Sequence, residues 1–233
     1  MSEVRNACAG PFGVFYSFWI ERERLARVVG RVLWGIDTGP LYASMAAVGR
    51  LPDGATVLDV PCGSGVALRA LRPHQRVRWI AVDLDADMLA RCARRAHARG
   101  LDAAGGAAAR VELLAADMQA LPLPDATADL CLAYSGLHMV GDPAAALREL
   151  VRCTKPGGEL IGSSFLAAGS RRQRLLLGHG ERTGRNGPLW SAGELRAQLA
   201  AAGVEQVTVA PARGFAVFRG RRVDPAQAHS SSG

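Results

Sequence analysis

The chain contains 233 residues and has a formal net charge of +7 at pH 7; hydrophobic residues make up 49% of it and charged residues 21%. This composition excludes a largely disordered chain, and the length suits one large domain. All basic residues except Lys155 are arginines, and they are spread over the whole chain rather than clustered on one element. That distribution does not indicate a nucleic-acid-binding patch, so we expect no nucleic-acid partner.

The five cysteines form neither a Cys-x-x-Cys pair nor a metal-ligand spacing. We therefore expect buried thiols, a reducing compartment and no metal site. The first residues lack the basic-then-apolar pattern of a signal peptide, and no apolar run approaches the ~18 residues that a membrane span requires. These features predict a cytoplasmic protein with no membrane span.

The segment 12–50 is rich in aromatic residues and is predicted to be mostly helical, with breaks at Gly35 and at 38–40. Two interpretations remain open, a helix packed on the domain edge and a cap over an active site. We delimit residues 1–50 as an N-terminal helical, aromatic cap. In the cap interpretation, four of its aromatic residues are candidates for substrate contact: Tyr16, Trp19, Trp34 and Tyr42.

From residue 56 onward, short runs of strand-forming residues alternate with helix-like segments. The predicted strands are 56–60, 77–82, 111–115, 130–134 and 159–165, and the predicted helices are 64–71, 86–99 and 143–153. This alternation indicates a parallel sheet with helices on both faces. The sequence KPGG at 155–158 cannot continue a helix, so we expect the chain to turn there into the next strand.

The segment 167–189 has few strand formers, and we expect it to be a long substrate loop. Ser191 and Glu194 then form a capping box at the start of a helix that ends at Gly203. Residues 204–210 and 214–219 are predicted strands joined by a turn too short for a crossover helix, which makes them antiparallel. The predicted main domain covers 51–220, and residues 221–233 are expected to be a disordered tail.

The sequence VLDVPCGSGVAL at 57–68 places a Gly-x-Gly turn between a strand and a helix-like segment. Such a turn brings backbone amides close to a ligand, but alone it is weak evidence. A dinucleotide-binding loop needs a small residue where this chain has Leu68. The carboxylate of Asp59 would repel a phosphate and attract an ammonium group, so the loop favours a cation.

Two further carboxylates follow the next predicted strands. Asp83, eighteen residues after Gly65, can accept hydrogen bonds from both hydroxyls of a ribose. Asp117 can accept a hydrogen bond from the exocyclic amine of adenine, and the neighbouring Leu84 and Met118 could enclose the purine ring. A nucleoside joined to an amino-acid ammonium, without phosphate, describes S-adenosylmethionine.

Five motifs then occur in order: VLDVPCGSG, AVDLDADML, AADMQALPLPDATAD, LHMVGDPAAALRELVRCTKPGGEL and WSAGELRAQLAAAGV. Together they resemble class I S-adenosylmethionine-dependent methyltransferases, in particular the subgroup that includes the ubiquinone and menaquinone C-methyltransferases and many small-molecule methyltransferases. The resemblance covers residues 56–219. It implies an α/β, Rossmann-like fold with a seven-stranded, mostly parallel sheet, helices on both faces and an antiparallel last strand.

The resemblance also implies that the cofactor is S-adenosyl-L-methionine, that S-adenosyl-L-homocysteine is the product, and that the partner is a small-molecule methyl acceptor; a homodimer is compatible with it. The implied cofactor-binding residues are Asp59, Pro61, Gly63, Ser64, Gly65, Asp83, Leu84, Asp117, Met118, Tyr134 and Ser135. The chain departs from the family at Cys62, where glycine is frequent, although cysteine is small enough for the turn.

His138 lies in SGLH, just after the fourth predicted strand, close to where a methyl acceptor should lie. It is a candidate catalytic base and a candidate substrate contact, and simple packing is the alternative. The acceptor itself is predicted to be small and apolar or aromatic. The competing functions are an RNA or protein methyltransferase and a regulator that binds S-adenosylmethionine without turnover.

Overall fold

The structure is a computed structural model that describes residues 19–101, 109–167, 169, 171–182 and 186–224. Its strands are β1 (Thr56–Asp59), β2 (Arg78–Asp83), β3 (Arg110–Ala115), β4 (Ala128–Tyr134), β5 (Thr154–Phe165), β6 (Val204–Pro211) and β7 (Phe215–Arg222). The helices are α1 (Glu23–Val29), α2 (Gly39–Ser44), α3 (Ala86–Ala98), α4 (Pro143–Cys153), α5 (Arg171–Arg182) and α6 (Ala192–Ala201). Shorter turns are a π-helical turn at Gly30–Trp34 and 3-10 turns at Met45–Arg50, Val66–Ala70 and Leu137–Met139.

The strands form one seven-stranded sheet in the order β3-β2-β1-β4-β5-β7-β6. The pairs among β1 to β5 are parallel, whereas β7 is antiparallel to both β5 and β6. The predicted fold class, including the antiparallel last strand, is confirmed. The strand order reverses between β1 and β4, and in open α/β sheets ligands bind in the crevice outside the carboxyl ends of the strands at such a switch point.

The central strands are apolar because both of their faces are covered. Every residue of β1 is buried, and β4 carries fully buried side chains from Leu130 to Leu132. Helices α3 and α4 begin at Asp85 and Asp142, whose carboxylates accept hydrogen bonds from the first backbone amides of each helix. The four cysteines in the described part of the chain are buried and free, as expected; Cys8 lies outside it.

Two local predictions around the turns were wrong. The predicted helix at 64–71 is only a 3-10 turn, Val66–Ala70, because Gly65 before it is left-handed, with a φ of 74°, and Leu71 after it is extended. The residues expected to form a turn, 155–158, belong to β5, which starts at Thr154. The pairing with β4 shifts there from Ala128–Thr154 to Leu130–Glu159, so these β5 residues form a bulge. Glycine-rich segments can follow a neighbouring strand if the pairing contains a bulge.

The N-terminal segment is mostly helical over its described part, residues 19–50, as predicted. Its buried side chains, including Trp19 and Tyr42, form a hydrophobic cluster with Phe215 of β7. Tyr134 and Phe165, which end β4 and β5, pack against the same cluster. The segment therefore covers the sheet next to the carboxyl ends of two central strands.

The segment 167–189 is not simply a loop, since its described part contains α5. Gln173 on α5 donates a hydrogen bond from Nε2 to the carbonyl oxygen of Gly214, over 2.7 Å. After the helix, the amide of Gly187 donates to the carbonyl oxygen of His138, over 3.0 Å. Hydrogen bonds from both parts of the segment 167–189 thus hold it at the edge of the sheet where the parallel strands end.

At the C-terminus, β7 extends to Arg222, so the sheet continues two residues past the predicted domain boundary at 220. The rest of the predicted tail, from residue 225, lies outside the described residues. Among the described residues, no helix combines the length and the apolar character needed to cross a bilayer.

Close packing between β5 and β7 depends on Gly162, which is paired with Phe218. A methyl group there would collide with the Phe218 ring and the Ala133 carbonyl oxygen. We expect Gly162→Ala to lower the free energy of unfolding by about 1–3 kcal/mol in urea titrations, as other overpacked cores do. The control is Gly178→Ala on α5, where the added methyl meets no atom within 4 Å and should stabilise the helix by about 0.5–1 kcal/mol. Equal effects of the two substitutions would contradict this account.

Candidate active site

The crevice at the switch point begins with Asp59, the last residue of β1. Its side chain is 1% exposed, and Oδ2 has no hydrogen-bond partner among the described residues. Burial raises the pKa of this carboxyl well above its usual range, and the nearby Asp83 carboxylate raises it further, while the Trp79 indole acts in the opposite direction. Two buried carboxyl groups thus lie close enough to influence each other, and the ionised form of Asp59 is costly without a cation.

The glycine loop follows directly. Gly63 and Gly65 have left-handed backbones, with φ values of 51° and 74°. A methyl group on Gly65 would lie 2.8 Å from Cys92 Sγ, so helix α3 packs tightly behind the loop. A methyl group on Gly63 would meet no atom within 4 Å, which leaves the outer side of the loop accessible to a ligand.

Pro61 connects three parts of the crevice. It follows a cis Val60–Pro61 peptide bond, and its ring packs against Gly136 in the turn after β4, where no side chain would fit. The sulfur of Met118, at the end of β3, lies beside the same glycine. Pro61, Met118 and Gly136 are therefore in contact, which joins the glycine loop to the segments that follow β3 and β4.

Asp83, the last residue of β2, holds the glycine loop in place. Its Oδ2 accepts a hydrogen bond from the Gly63 amide over 2.8 Å, and its Oδ1 accepts one from the Asp85 amide over 2.9 Å. Burial raises the pKa of this carboxyl, while the two amide hydrogen bonds lower it. Leu84, which follows, is 64% exposed and forms an apolar surface at the edge of the crevice.

Asp117 follows β3 and has a partner that sequence analysis missed. Gln119 Nε2 donates to both oxygens of Asp117, over 3.1 and 3.0 Å, and the Gln119 amide donates to Oδ1 over 2.8 Å. The side-chain oxygen of Gln119 in turn accepts from the Asp142 amide at the start of α4. An Asx turn at Asp117 was the only local signal, and it could not indicate the contact with α4.

The end of β4 joins the crevice to the N-terminal segment. The Tyr134 hydroxyl lies 2.9 Å from Ser44 Oγ on α2, and burial raises the pKa of this phenol above its usual value. Ser135 has a left-handed backbone, with a φ of 57°, and its amide donates to Ser163 on β5. Tyr134 and Ser135, both implied cofactor-binding residues, therefore lie where β4 and β5 end.

His138 is buried, at 5% exposure, beneath Phe165. The two rings meet edge to face with their centroids 4.9 Å apart, and the Phe165 amide donates to His138 Nδ1 over 3.4 Å. Burial lowers the pKa of this imidazole to about 4. An Nδ1 that accepts from a backbone amide places the proton of the neutral ring on Nε2.

The candidate substrate residues are in different surroundings. Trp34 is half-buried and contacts Phe165, with the two ring centroids 5.6 Å apart. Phe165 in turn packs on Phe215, with ring centroids 5.4 Å apart. Trp19 and Tyr42 are buried inside the N-terminal segment, where the Tyr42 hydroxyl donates to the Ile20 carbonyl oxygen. Tyr16 lies outside the described residues. Trp34 therefore packs directly against Phe165, the ring that also contacts His138.

The residues present fit a ligand that carries both positive charge and polar groups. Asp59 Oδ2 and Ser64 Oγ are buried in the same loop without a hydrogen-bond partner in the described chain. Buried polar atoms in native proteins are normally satisfied, so such atoms at a ligand-accessible loop indicate groups that a ligand completes. An ammonium group satisfies a carboxylate oxygen of this kind.

Residues 58–162 match a family described as Methyltransferase domain. The chain is 34% identical over 131 residues to malonyl-[acyl-carrier protein] O-methyltransferase of Serratia marcescens, covering 55% of this chain and 45% of that protein. It is 36% identical over 124 residues to demethylmenaquinone methyltransferase of Mycolicibacterium paratuberculosis, covering 53% and 46%. The match thus spans less than half the length of each relative.

The solved structure of an S-adenosylmethionine-dependent methyltransferase from Aquifex aeolicus superimposes with a TM-score of 0.57 and 22% identity, covering 84% of this chain and 93% of that one. At this identity the similarity concerns the fold. The family match starts in β1 and ends in β5, so it contains the glycine loop, Asp83, Asp117 and the end of β4. Residues 58–162 of this chain therefore match a methyltransferase domain, and the resemblance found in the motifs is confirmed.

Proposed function

We propose that this chain is an S-adenosylmethionine-dependent methyltransferase that acts on a small, largely apolar acceptor. The observation that carries the proposal is Asp59, a buried carboxylate with an unpartnered oxygen at the start of a Gly-x-Gly loop. A cationic ligand compensates the cost of that charge, whereas a pyrophosphate would add to it. The family match and the motif order support the same donor.

Each part of the donor would have a defined partner. Asp59 would hold the ammonium group, the Gly63–Gly65 loop the amino-acid chain, and Asp83 the ribose. At the other end, Asp117 would bind the adenine amine, with Leu84 and Met118 on the ring faces. Bound S-adenosylmethionine supplies an electrophilic methyl group, so the protein has mainly to align it with the acceptor and exclude water.

The acceptor side is apolar. Trp34, Phe165 and Phe215 form a continuous aromatic cluster beside His138, and the Tyr134 hydroxyl is already engaged by Ser44. Aromatic surfaces with few polar groups suit an apolar or aromatic acceptor. The relatives' names include malonyl-[acyl-carrier protein] and demethylmenaquinone, and the second of these belongs to the class of small, largely apolar acceptors proposed here.

His138 is better suited to shaping this wall than to removing a proton. Its Nδ1 is occupied by the Phe165 amide, and its low pKa makes the neutral ring a weak base. We therefore propose that His138 positions Phe165 and that the acceptor reacts as an already nucleophilic group. A cytoplasmic location, a homodimer and the substrate roles of Trp19 and Tyr42 stay predictions from the sequence.

The donor assignment predicts opposite stability effects for two isosteric substitutions. Asp59→Asn removes a carboxyl group whose ionisation burial makes costly and should raise the melting temperature of the ligand-free protein, whereas Asp83→Asn loses an acceptor for a backbone amide and should lower it. Both should weaken S-adenosylhomocysteine binding at least about tenfold, because charge-assisted hydrogen bonds are lost.

Calorimetry with S-adenosylhomocysteine and thermal unfolding of the free proteins measure these two quantities. NAD should not stabilise the wild-type chain. Stabilisation by NAD equal to that by the adenosyl ligand, or unchanged affinity in both variants, would refute the donor assignment.

The buried state of His138 predicts a specific pH dependence. The unfolded chain takes up a proton near pH 6.5 and the folded chain only near its pKa of about 4. The stability contributed by the neutral ring is therefore complete above about pH 6.5 and is lost as the pH falls toward 4, by about 3 kcal/mol in all.

Unfolding titrations of wild type and His138→Phe across this range should show the steeper acid loss only in the wild type. The exposed His97, changed to Gln, serves as the control and should leave the wild-type slope in place. Parallel curves for wild type and His138→Phe would show that the imidazole titrates normally in the folded protein.

Methyl transfer is tested directly with S-adenosylmethionine labelled in the methyl group. The acceptor arms are a malonyl thioester, a demethylated naphthoquinone, total RNA and a protein extract. Label should enter a small-molecule arm; label in RNA or protein would select the competing function, and binding without transfer to any arm would favour a regulator.

Trp34→Ala should lower kcat/KM for the acceptor about tenfold or more with donor affinity retained, because it removes part of the aromatic surface. Val32, 67% exposed, provides the control: Val32→Ala should leave kcat/KM unchanged.

A further inference from the structure

Arg95, on α3, joins two parts of the protein that are far apart in sequence. Its Nε donates a hydrogen bond to the carbonyl oxygen of Ser64, in the glycine loop, over 2.9 Å. Its Nη2 forms an ion pair with Glu21 of the N-terminal segment, over 2.8 Å. One guanidinium group therefore contacts the glycine loop and the N-terminal segment at the same time.

The glycine loop needs such an anchor because its backbone is unusually free. Gly63 and Gly65 on either side of Ser64 are left-handed, and glycine loses more conformational entropy on ordering than other residues do. Three of the hydrogen bonds that the loop makes oppose this freedom: Asp83 accepts from the Gly63 amide, the Cys62 carbonyl oxygen accepts from the Gly65 amide, and Arg95 donates to the Ser64 carbonyl oxygen. Of these three bonds, only the one from Arg95 is made by a residue of α3, a helix that contains no residue proposed to bind the donor.

A second ion pair, Arg69 with Glu23, joins the same regions but is weaker. Its atoms are 3.5 Å apart and its side chains 37% and 38% exposed, against 25% and 28% for Arg95 and Glu21. Exposed pairs of this length contribute little to stability. Arg95 also makes a charge-assisted hydrogen bond to a backbone carbonyl group, which the Arg69 side chain is not seen to make with the loop.

We propose that Arg95 is a positioning residue for the methyl donor, and that its ion pair with Glu21 couples the N-terminal segment to the conformation of the glycine loop. This inference rests on the proposed function. By holding the Ser64 carbonyl group, Arg95 directs the buried Ser64 hydroxyl and the adjacent amides to the side that the ligand occupies. Because coupling between two sites is reciprocal, donor binding in turn holds the N-terminal segment in place.

The experiment measures S-adenosylhomocysteine binding by calorimetry for four single variants. Arg95→Ala should raise the dissociation constant about tenfold or more. Arg95→Lys, which keeps the charge but not the fork of donors, should recover part of the loss. Arg94→Ala removes the same charge from the next, exposed position of α3 and should change the constant less than about twofold.

Glu21→Gln tests the coupling. It should weaken binding about two- to fivefold in the wild-type background and have no effect when combined with Arg95→Ala, because the path from the N-terminal segment to the loop is then already broken. An equal effect of Glu21→Gln in both backgrounds would overturn the coupling. The thermal stability of every ligand-free variant is measured in parallel.

The outcomes are distinguishable. A purely structural role of Arg95 predicts a lower melting temperature of the free protein with an unchanged dissociation constant, and that result would overturn the inference while leaving the proposed function intact. If the wild-type chain bound no adenosyl ligand, the proposed function would fail, and the inference with it.

Discussion

The burial of the Asp59 carboxyl group is the constraint on which the rest of the site depends. β1 and β4 are covered on both faces, so a side chain at the end of β1 is removed from water, and Asp83 places a second carboxyl group nearby. An apolar residue at this position would make the free protein more stable. The arrangement becomes favourable when a cation is bound, and this is the physical reason for proposing the donor site at this point of the sheet.

The same constraint explains why the groups around Asp59 have two roles. Asp83 holds the Gly63 amide as well as facing the proposed ribose, and Asp117 is oriented by Gln119 before any adenine binds. Arg95 donates a hydrogen bond to the Ser64 carbonyl oxygen in the same loop. A network of this kind pre-organises the ligand-binding groups, so that little ordering remains to be done when the donor binds.

The acceptor side is built from segments outside the matched methyltransferase domain. Trp34 precedes residue 58, while Phe165, Phe215 and the Gly187 contact follow residue 162. Relatives named for different acceptors align over little more than half of this chain. The proposed donor site consists of carboxylates at strand ends, a geometry set by the sheet itself. The proposed acceptor site depends on connections and helices that can change without disturbing the sheet.

The succession of strands along the chain, the antiparallel last strand and the meeting of Asp59, Asp83 and Asp117 at one edge were predictable from the residues. Hydrophobic periodicity and caps are local signals, and the carboxyl ends of parallel strands necessarily meet at one edge of the sheet. The tertiary structure alone decided the contacts of Arg95, the hydrogen bond between Gln119 and the Asp142 amide, and the ring contact of Trp34 with Phe165. It also decided that part of 167–189 is a helix rather than a loop. The contacts join groups that are distant in sequence and meet only when the backbone folds, so no local sequence pattern indicates them.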